Sequence, residues 1–191
     1  RNCMSTEMLW DVMQQSTISY GTSGLSSFAI SAVDNAIWDL KGKILGRPVY
    51  ELIGGPQKDK IFCYASNTSF EYGTKNSIEW FLELGFKAVK LFLREGPESN
   101  IEGINRAEEL VASTREQVGK DVEIAVDAWM SLNNEYAVRL AEVLKPYRIK
   151  WLEDYLNPEN LDGYQNLRNR IPWQTLATGE HWYSLYPFAL A

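Results

Sequence analysis

The sequence predicts an α/β fold built on a parallel sheet. From residue 60 onwards, five short apolar segments that favour strands alternate with four segments of helical periodicity. The strand segments are apolar on both faces, which is typical of a parallel sheet covered by helices on both sides. Successive strands begin about 25 to 36 residues apart, the span of a βα unit. An open doubly wound sheet and a (β/α)8 barrel both fit this pattern.

The predicted strands and helices are bounded by caps and breaking residues. The strands are residues 61–65, 86–93, 122–126, 149–152 and 175–177. The helices between them are residues 75–84, 99–118, 134–144 and 160–171. Ser99 and Glu102 form the sequence pattern of a capping box at the start of the second of these helices. No glycine-rich phosphate-binding turn follows the first strand, so a dinucleotide-binding sheet receives little support.

Residues 1–55 contain no predicted strand. Apolar residues at helical spacing predict a helix over 4–16 and a longer one that ends at Gly46, with Ser26 or Ser27 as its cap. An all-helical segment of this kind suggests a partial domain. The chain also opens in helical sequence and stops without a closing turn, so we expect it to be part of a longer protein.

Composition and charge exclude several classes of function. The formal net charge is -6, which argues against nucleic acid as the main partner. No apolar run approaches the roughly 20 residues of a membrane helix, and none resembles a secretion signal. The chain has 2 cysteines, too few for a disulfide framework or a cysteine zinc site. We therefore expect a cytoplasmic protein.

Three consecutive predicted strands end on a carboxylate. These residues are Asp127, Glu153 and Glu180. Neighbouring strands lie about 4.8 Å apart, so their carboxyl ends can bring the three side chains around one point. Each pair of like charges would cost about 4 kcal/mol at about 4 Å and an effective dielectric constant near 20. A divalent cation removes this cost, and oxygen ligands suit Mg2+. One such carboxylate would indicate a helix cap or surface ion pair, whereas three in succession favour a metal site.

Other polar or aromatic residues follow the same strands. Lys90, on the second strand, either brings positive charge to an anionic substrate or is a surface lysine. His181 is the only histidine and follows Glu180 directly, so it is either a substrate contact or a structural residue. Asn67 is a weaker candidate of the same kind just past the first strand. Trp129 is expected in core packing or a pocket wall.

One helical segment and three strand-end motifs resemble a known family. Residues 28–55 include Phe-Ala-Ile-Ser-Ala-Val-Asp-Asn-Ala-Ile-Trp-Asp-Leu, and the motifs are Val-Asp-Ala-Trp-Met-Ser at 126–131, Lys-Trp-Leu-Glu-Asp at 150–154 and Thr-Gly-Glu-His at 178–181. They resemble the mandelate racemase and muconate lactonizing branch of the enolase superfamily. The Asp-x-Trp-Met-Ser and Gly-Glu-His forms most resemble acid-sugar dehydratases of the rhamnonate dehydratase type.

The resemblance implies a fold and an activity. Residues 56–191 would be the first five βα units of a partial (β/α)8 TIM-type barrel, and residues 1–55 the helical part of an α+β capping domain. Mg2+ held by the three strand-end carboxylates would bind the carboxylate of a sugar acid such as rhamnonate. A base would remove the α-proton, Mg2+ would stabilise the enediolate, and loss of the β-hydroxyl would give a 2-keto-3-deoxy acid. A homo-oligomer is expected.

The resemblance also implies roles for individual residues. Lys90 and His181 would be catalytic, and Asn67 and Trp129 would bind substrate. Many family members carry a second lysine where this chain has Phe92, and some carry a histidine where it has Trp129. The resemblance places the base in a His-Asp pair on later strands, so we expect these 191 residues alone to be inactive.

Two other functions remain compatible with the sequence. A racemase, epimerase or lactonizing enzyme would use the same metal site. A non-catalytic relative would retain the carboxylates and lack the base.

Overall fold

The structure is a computed structural model that describes residues 2–21, 23–66 and 75–190. Its contacts divide the chain into two units, one of residues 1–61 with 182–186 and one of residues 62–181 with 187–191. Among the helices described, none is long and apolar enough to cross a membrane.

The first unit contains three helices, α1 (Thr6–Thr17), α2 (Leu25–Leu45) and α3 (Val49–Leu52). The predicted serine cap of α2 is wrong, because the helix begins one residue after Gly24, whose φ is 65°. The predicted end of α2 is confirmed. Gly46 adopts the left-handed conformation there and donates its N–H to the carbonyls of Gly42 and Lys43, a conformation that glycine adopts without strain.

The second unit is built on five parallel strands. They are β1 (Ala65–Ser66), β2 (Ala88–Phe92), β3 (Glu123–Asp127), β4 (Leu152–Glu153) and β5 (Leu176–Ala177). Their order in the sheet is the order in the chain. A doubly wound sheet reverses direction at a switch point, whereas a barrel adds each strand beside the previous one. The sheet therefore has the strand order of a (β/α)8 barrel, and the predicted α/β class is confirmed.

The first predicted strand is largely wrong. Residues 61–64 lie outside any strand, and β1 consists of the two residues that pair with Val89 and Lys90 of β2. Ile61 and Phe62 are exposed. Within the described sheet β1 pairs with β2 alone, and the register places residues 61–63 before Ala88, the first residue of β2.

Helices alternate with the strands. They are α4 (Lys75–Glu83), α5 (Asn100–Val118), α6 (Asn134–Leu144), α7 (Leu161–Arg170) and α8 (Leu185–Leu190). The predicted capping box does not form, because Ser99 belongs to a 3-10 turn and makes no side-chain cap hydrogen bond. Asn133 and Asn160 do cap α6 and α7 through their side chains.

The core lies between the sheet and helices α4 to α7. Val89, Leu91, Ile124 and Val126 alternate along β2 and β3 and are almost fully buried. The helices bury a matching set of residues, Ile78, Ile104, Val111, Leu140, Leu144 and Leu167. This packing fixes the strand ends, where the predicted site residues lie.

Candidate metal and substrate site

Two predicted ligands occupy equivalent positions on neighbouring strands. Asp127 ends β3, Glu153 ends β4, and the two residues are paired in the sheet register. Glu180 follows β5, three residues after the last strand residue, Ala177. The carboxyl end of the sheet therefore carries all three residues. Asn67 lies outside the described residues.

Lys90 joins the first two carboxylates. Its Nζ atom is 2.9 Å from Oδ2 of Asp127 and 2.9 Å from Oε1 of Glu153. All three side chains are at most 14% exposed. Burial acts to lower the pKa of Lys90, but the hydrogen bonds and charges of Glu153 and Asp127 outweigh it and raise the pKa above its ordinary value. The ammonium group is therefore held in its charged form between two converging anions.

The other oxygen of each carboxylate also has a fixed donor. The backbone N–H of Trp129 donates to Oδ1 of Asp127 at 3.0 Å. The indole Nε1–H of Trp151 donates to Oε2 of Glu153 at 2.7 Å. From the sequence, Trp151 is expected, like Trp129, in core packing or a pocket wall. The signal that could have found it is its spacing, because residues two apart on a strand share one face.

The third predicted ligand lies in an adjacent group. Oε1 of Glu180 is 3.2 Å from Nε2 of His181, and Oδ2 of Asp154 is 3.6 Å from the same nitrogen. Among the described residues, these form the one group of three or more His, Cys, Asp or Glu side chains whose possible metal-ligand atoms all lie within 4.8 Å of one another. Asp154 was not singled out from the sequence.

Glu180 is nevertheless close enough to Asp127 and Lys90 for their charges to affect its pKa. Burial raises its pKa, and the charges of Asp154 and Asp127 raise it further, while His181 and Lys90 act in the opposite direction. Glu180 therefore lies within Coulombic range of both groups. Asp127 and Glu153 both contact the ammonium group of Lys90, and Glu180 lies beside them with His181.

The backbone that carries these side chains is strained. Trp129, Met130 and Asp154 have φ values of 42°, 65° and 41°, which lie in the left-handed region that residues other than glycine rarely adopt. Hydrogen bonds between the segments after β3 and β4 hold this conformation, among them Ala128 N–H to Glu153 O at 3.0 Å. Strained backbone of this kind concentrates at functional sites, where the surrounding structure determines it.

Trp129 lies on a cleft next to the carboxylates. Its side chain is 56% exposed, so it is not a core residue. With Arg94 and Ser131 it lines a cleft of about 380 Å³ beside the ends of β2 and β3. This position suits contact with a ligand.

The side chains present fit a hard divalent cation. Oxygen donors from Asp127 and Glu153 already converge on one positive charge, and a third carboxylate, Glu180, is close. Asp154 adds a buried carboxylate whose pKa is raised by burial and by the charges of Asp127 and Glu153. A concentration of negative charge with oxygen donors is the environment that Mg2+ requires.

The fold and this site together define a barrel protein with acidic groups at its carboxyl end. The description "Enolase C-terminal domain-like" matches residues 75–191. The description "Mandelate racemase / muconate lactonizing enzyme, N-terminal domain" matches residues 2–54. The chain belongs to the mandelate racemase and muconate lactonizing enzyme family of the enolase superfamily.

Several relatives are similar over nearly the whole chain. An L-rhamnonate dehydratase of Saccharopolyspora erythraea is 44% identical over 96% of this chain and 45% of that protein. A rhamnonate dehydratase of Gibberella zeae complexed with Mg is 34% identical, with a TM-score of 0.89 over 98% of this chain and 44% of that one. A racemase of Streptomyces coelicolor with bound magnesium is 31% identical, with a TM-score of 0.88 over 100% of this chain and 56% of that one. The chain spans less than half the length of the curated relatives that it matches.

Proposed function

We propose that this chain contributes the metal site of a Mg2+-dependent acid-sugar dehydratase that acts on an aldonate such as rhamnonate. The observation that carries the proposal is the convergence of Asp127 and Glu153 on the ammonium group of Lys90, with Glu180 beside them. The similarity to L-rhamnonate dehydratases supports the substrate class. Asp127, Glu153 and Glu180 would hold the ion.

In this reaction, the substrate loses its α-proton and its β-hydroxyl as water and becomes a 2-keto-3-deoxy acid. Bound Mg2+ supplies Lewis-acid stabilisation of the negative charge that develops on the substrate carboxylate. Other residues of this chain orient the carboxylates that would hold the ion. Trp129 and Trp151 orient one oxygen each of Asp127 and Glu153, so that the site is organised before the substrate arrives.

Lys90 would bind the substrate carboxylate. Its raised pKa keeps it cationic, and it is buried at the point where the two metal-site carboxylates meet. When a divalent ion neutralises those carboxylates, the ammonium group is released from them and can bind another anion. Trp129 and Asn67 remain candidates for contacts with the sugar chain, and His181 for a contact with a substrate hydroxyl.

The test is a panel of aldonic acids assayed for 2-keto-3-deoxy products with the intact protein and Mg2+. We expect product from at least one six-carbon aldonate and none after Asp127→Asn. Asp162→Asn, an exposed change on α7, is the matched control and should retain activity. Absence of product across the panel would contradict the proposal.

A racemase is the second candidate, because the Streptomyces coelicolor relative is a racemase with bound magnesium. The same panel distinguishes the two when run in deuterated water. A racemase incorporates deuterium at the α-carbon and forms no keto acid, whereas the dehydratase forms the keto acid. A non-catalytic relative would do neither. A cytoplasmic location and a homo-oligomeric state remain predictions from the sequence.

A further inference from the structure

Asp154 and His181 face each other beside the proposed metal site. Asp154 is 2% exposed, and its Oδ2 atom lies 3.6 Å from Nε2 of His181. Within the described part of the chain, neither atom has a hydrogen-bond partner. Buried polar atoms without partners are unfavourable, and closure by a few tenths of an ångström would satisfy both. Contacts of this kind are often long in unliganded sites and shorten when a ligand binds.

The backbone fixes the position of Asp154. Its N–H donates to the carbonyl of Ala177 at 3.0 Å, and its carbonyl accepts a hydrogen bond from Met130. The strand segments on both sides therefore hold the residue, and they hold it at a φ of 41°. The backbone position of Asp154 is thus fixed, so its side chain can orient a neighbouring side chain.

The burial of His181 is uneven. Its Nε2 atom is buried, although 24% of the side chain is exposed. The exposed surface therefore belongs to the rest of the side chain, in which Nδ1 is the polar atom. A neutral imidazole has one protonated nitrogen, and a carboxylate beside Nε2 keeps the proton there. Nδ1 is then a hydrogen-bond acceptor.

Glu180 is a second carboxylate near Nε2, at 3.2 Å. Its side chain is 49% exposed, and it is a proposed Mg2+ ligand, so a bound ion would engage its oxygens. Asp154 has neither property. It is therefore the partner that stays with His181 when the site is occupied.

We propose that Asp154 is a positioning residue that holds the proton of His181 on Nε2, so that Nδ1 accepts a hydrogen bond from a substrate hydroxyl. The consequence for the substrate rests on the proposed function, because a polyhydroxy acid is the ligand class that offers such hydroxyls. The orientation and protonation of the imidazole ring do not depend on turnover, and they can be measured directly.

The test measures the protonation of His181 in the intact protein labelled with 15N in histidine. Its ring-nitrogen NMR signals are identified as the pair that His181→Gln removes, and their couplings to the carbon-bound ring protons show which nitrogen is protonated. We expect the Nε2–H form in the Mg2+-loaded protein at a pH where the ring is neutral. A wild-type protein with its proton on Nδ1 would overturn the proposal.

Asp154→Asn should weaken this arrangement. The substitution removes the negative charge beside Nε2, and a neutral amide oxygen accepts a hydrogen bond from Nε2–H less strongly than a carboxylate does. The share of the Nε2–H form should therefore fall, and the share of the Nδ1–H form should rise. Asparagine tolerates positive φ, so the variant keeps the local backbone.

Asp162→Asn is the matched control and should leave the wild-type spectrum unchanged. An Asp154→Asn spectrum with the wild-type share of the Nε2–H form overturns the proposal, and so does a loss of that form caused by Glu180→Gln instead. In the dehydratase assay, kcat/KM should fall about 10- to 100-fold in Asp154→Asn, the loss typical of removing a partner that orients a functional histidine. If the spectra behave as expected and no aldonate is dehydrated, the positioning contact stands and the proposed function fails.

Discussion

At the amino end of the sheet, one arginine donates hydrogen bonds to four backbone carbonyls. At the carboxyl end, Oδ2 of Asp154 and Nε2 of His181 are buried and have no hydrogen-bond partner in the described chain. Arg115 of α5 donates to carbonyls in the segments that precede β3 and β4, at distances of 2.6 to 3.3 Å. The acceptors are Gly119, Val122, Tyr147 and Arg148. The amino end thus joins two loops through a single charged donor group.

The carboxyl end is arranged differently. The carboxyl groups of Asp154 and Glu180 there have raised pKa values because of burial and neighbouring negative charge. In barrels the amino end contributes stability and the carboxyl end carries the active site. The contrast shows where this chain accepts charge repulsion. It predicts that substitutions at the amino end are destabilising, whereas the effect at the carboxyl end depends on the sign of the charge removed and on Mg2+.

The largest effect is expected at the amino end. Arg115→Ala removes a charged donor from four carbonyls, and each such hydrogen bond contributes more than a neutral one. We expect the free energy of unfolding to fall by about 3–4 kcal/mol, measured by urea denaturation. Arg139→Ala, an exposed change on α6, is the control. A loss for Arg115→Ala no larger than that of the control would refute the structural role of this end.

Lys90→Met should have the next largest effect, and one that depends on metal. Without Mg2+, Asp127 and Glu153 lose the cation between them, and stability should fall by about 2–3 kcal/mol, below the range for fully buried pairs. With Mg2+ the loss should shrink, because the ion replaces the missing positive charge. Equal losses with and without Mg2+ would contradict the placement of the ion beside these carboxylates.

Gly119→Ala tests the amino end by backbone conformation alone. Gly119 has a φ of 72°, and a Cβ atom there would contact nothing within 4 Å. Its ψ is -171°, and this combination of φ and ψ is adopted almost only by glycine. The substitution therefore introduces backbone strain without a clash, and we expect the free energy of unfolding to fall by about 2 kcal/mol. Thermal unfolding measures it, with Lys120→Ala as the neighbouring control. An unchanged melting temperature would show that this turn can relax.

Asp154→Asn should have the smallest effect, with the opposite sign. The pKa of Asp154 is raised above its ordinary value of 3.8, first by burial and then by Asp127 and Glu153. A carboxyl group whose pKa is raised in the folded state loses stability as the pH rises from the unfolded value through the folded one. At pH 7 the charge therefore opposes folding, and its removal should add about 0.5–1 kcal/mol. The gain should shrink on acidification, and a pH-independent or negative change would contradict this assignment.

The sequence predicted the parallel sheet and the strand-end position of Asp127, because strand tips follow from apolar runs that stop at a charged residue. It did not predict the pairing of Asp154 with His181. Residues adjacent in a strand point to opposite faces, and this alternation alone would turn Asp154 away from the site that Glu153 faces. Its positive φ breaks that alternation, and the strain that permits it comes from contacts distant in the chain.

Two predictions from local sequence patterns were also wrong, because contacts between distant parts of the chain determined the structure there. The Ser99 and Glu102 pattern is typical of a capping box, yet a 3-10 turn takes up Ser99. The apolar run at 61–64 has high strand propensity, yet within the described sheet it extends past its neighbour. High strand propensity alone does not make a segment a strand, because the segment also needs a neighbouring strand to pair with.

The most direct test of the account is whether Mg2+ stabilises the intact protein through Asp127. The melting temperature is measured with and without saturating Mg2+ for the wild type, Asp127→Asn and the control Asp162→Asn. Binding at about 100 times the dissociation constant adds about 2.7 kcal/mol of stability, so the wild type and the control should both melt at higher temperature with Mg2+, and Asp127→Asn should show little or no increase. A wild type that Mg2+ leaves unchanged, or an Asp127→Asn variant that responds like the wild type, would contradict the proposed metal site.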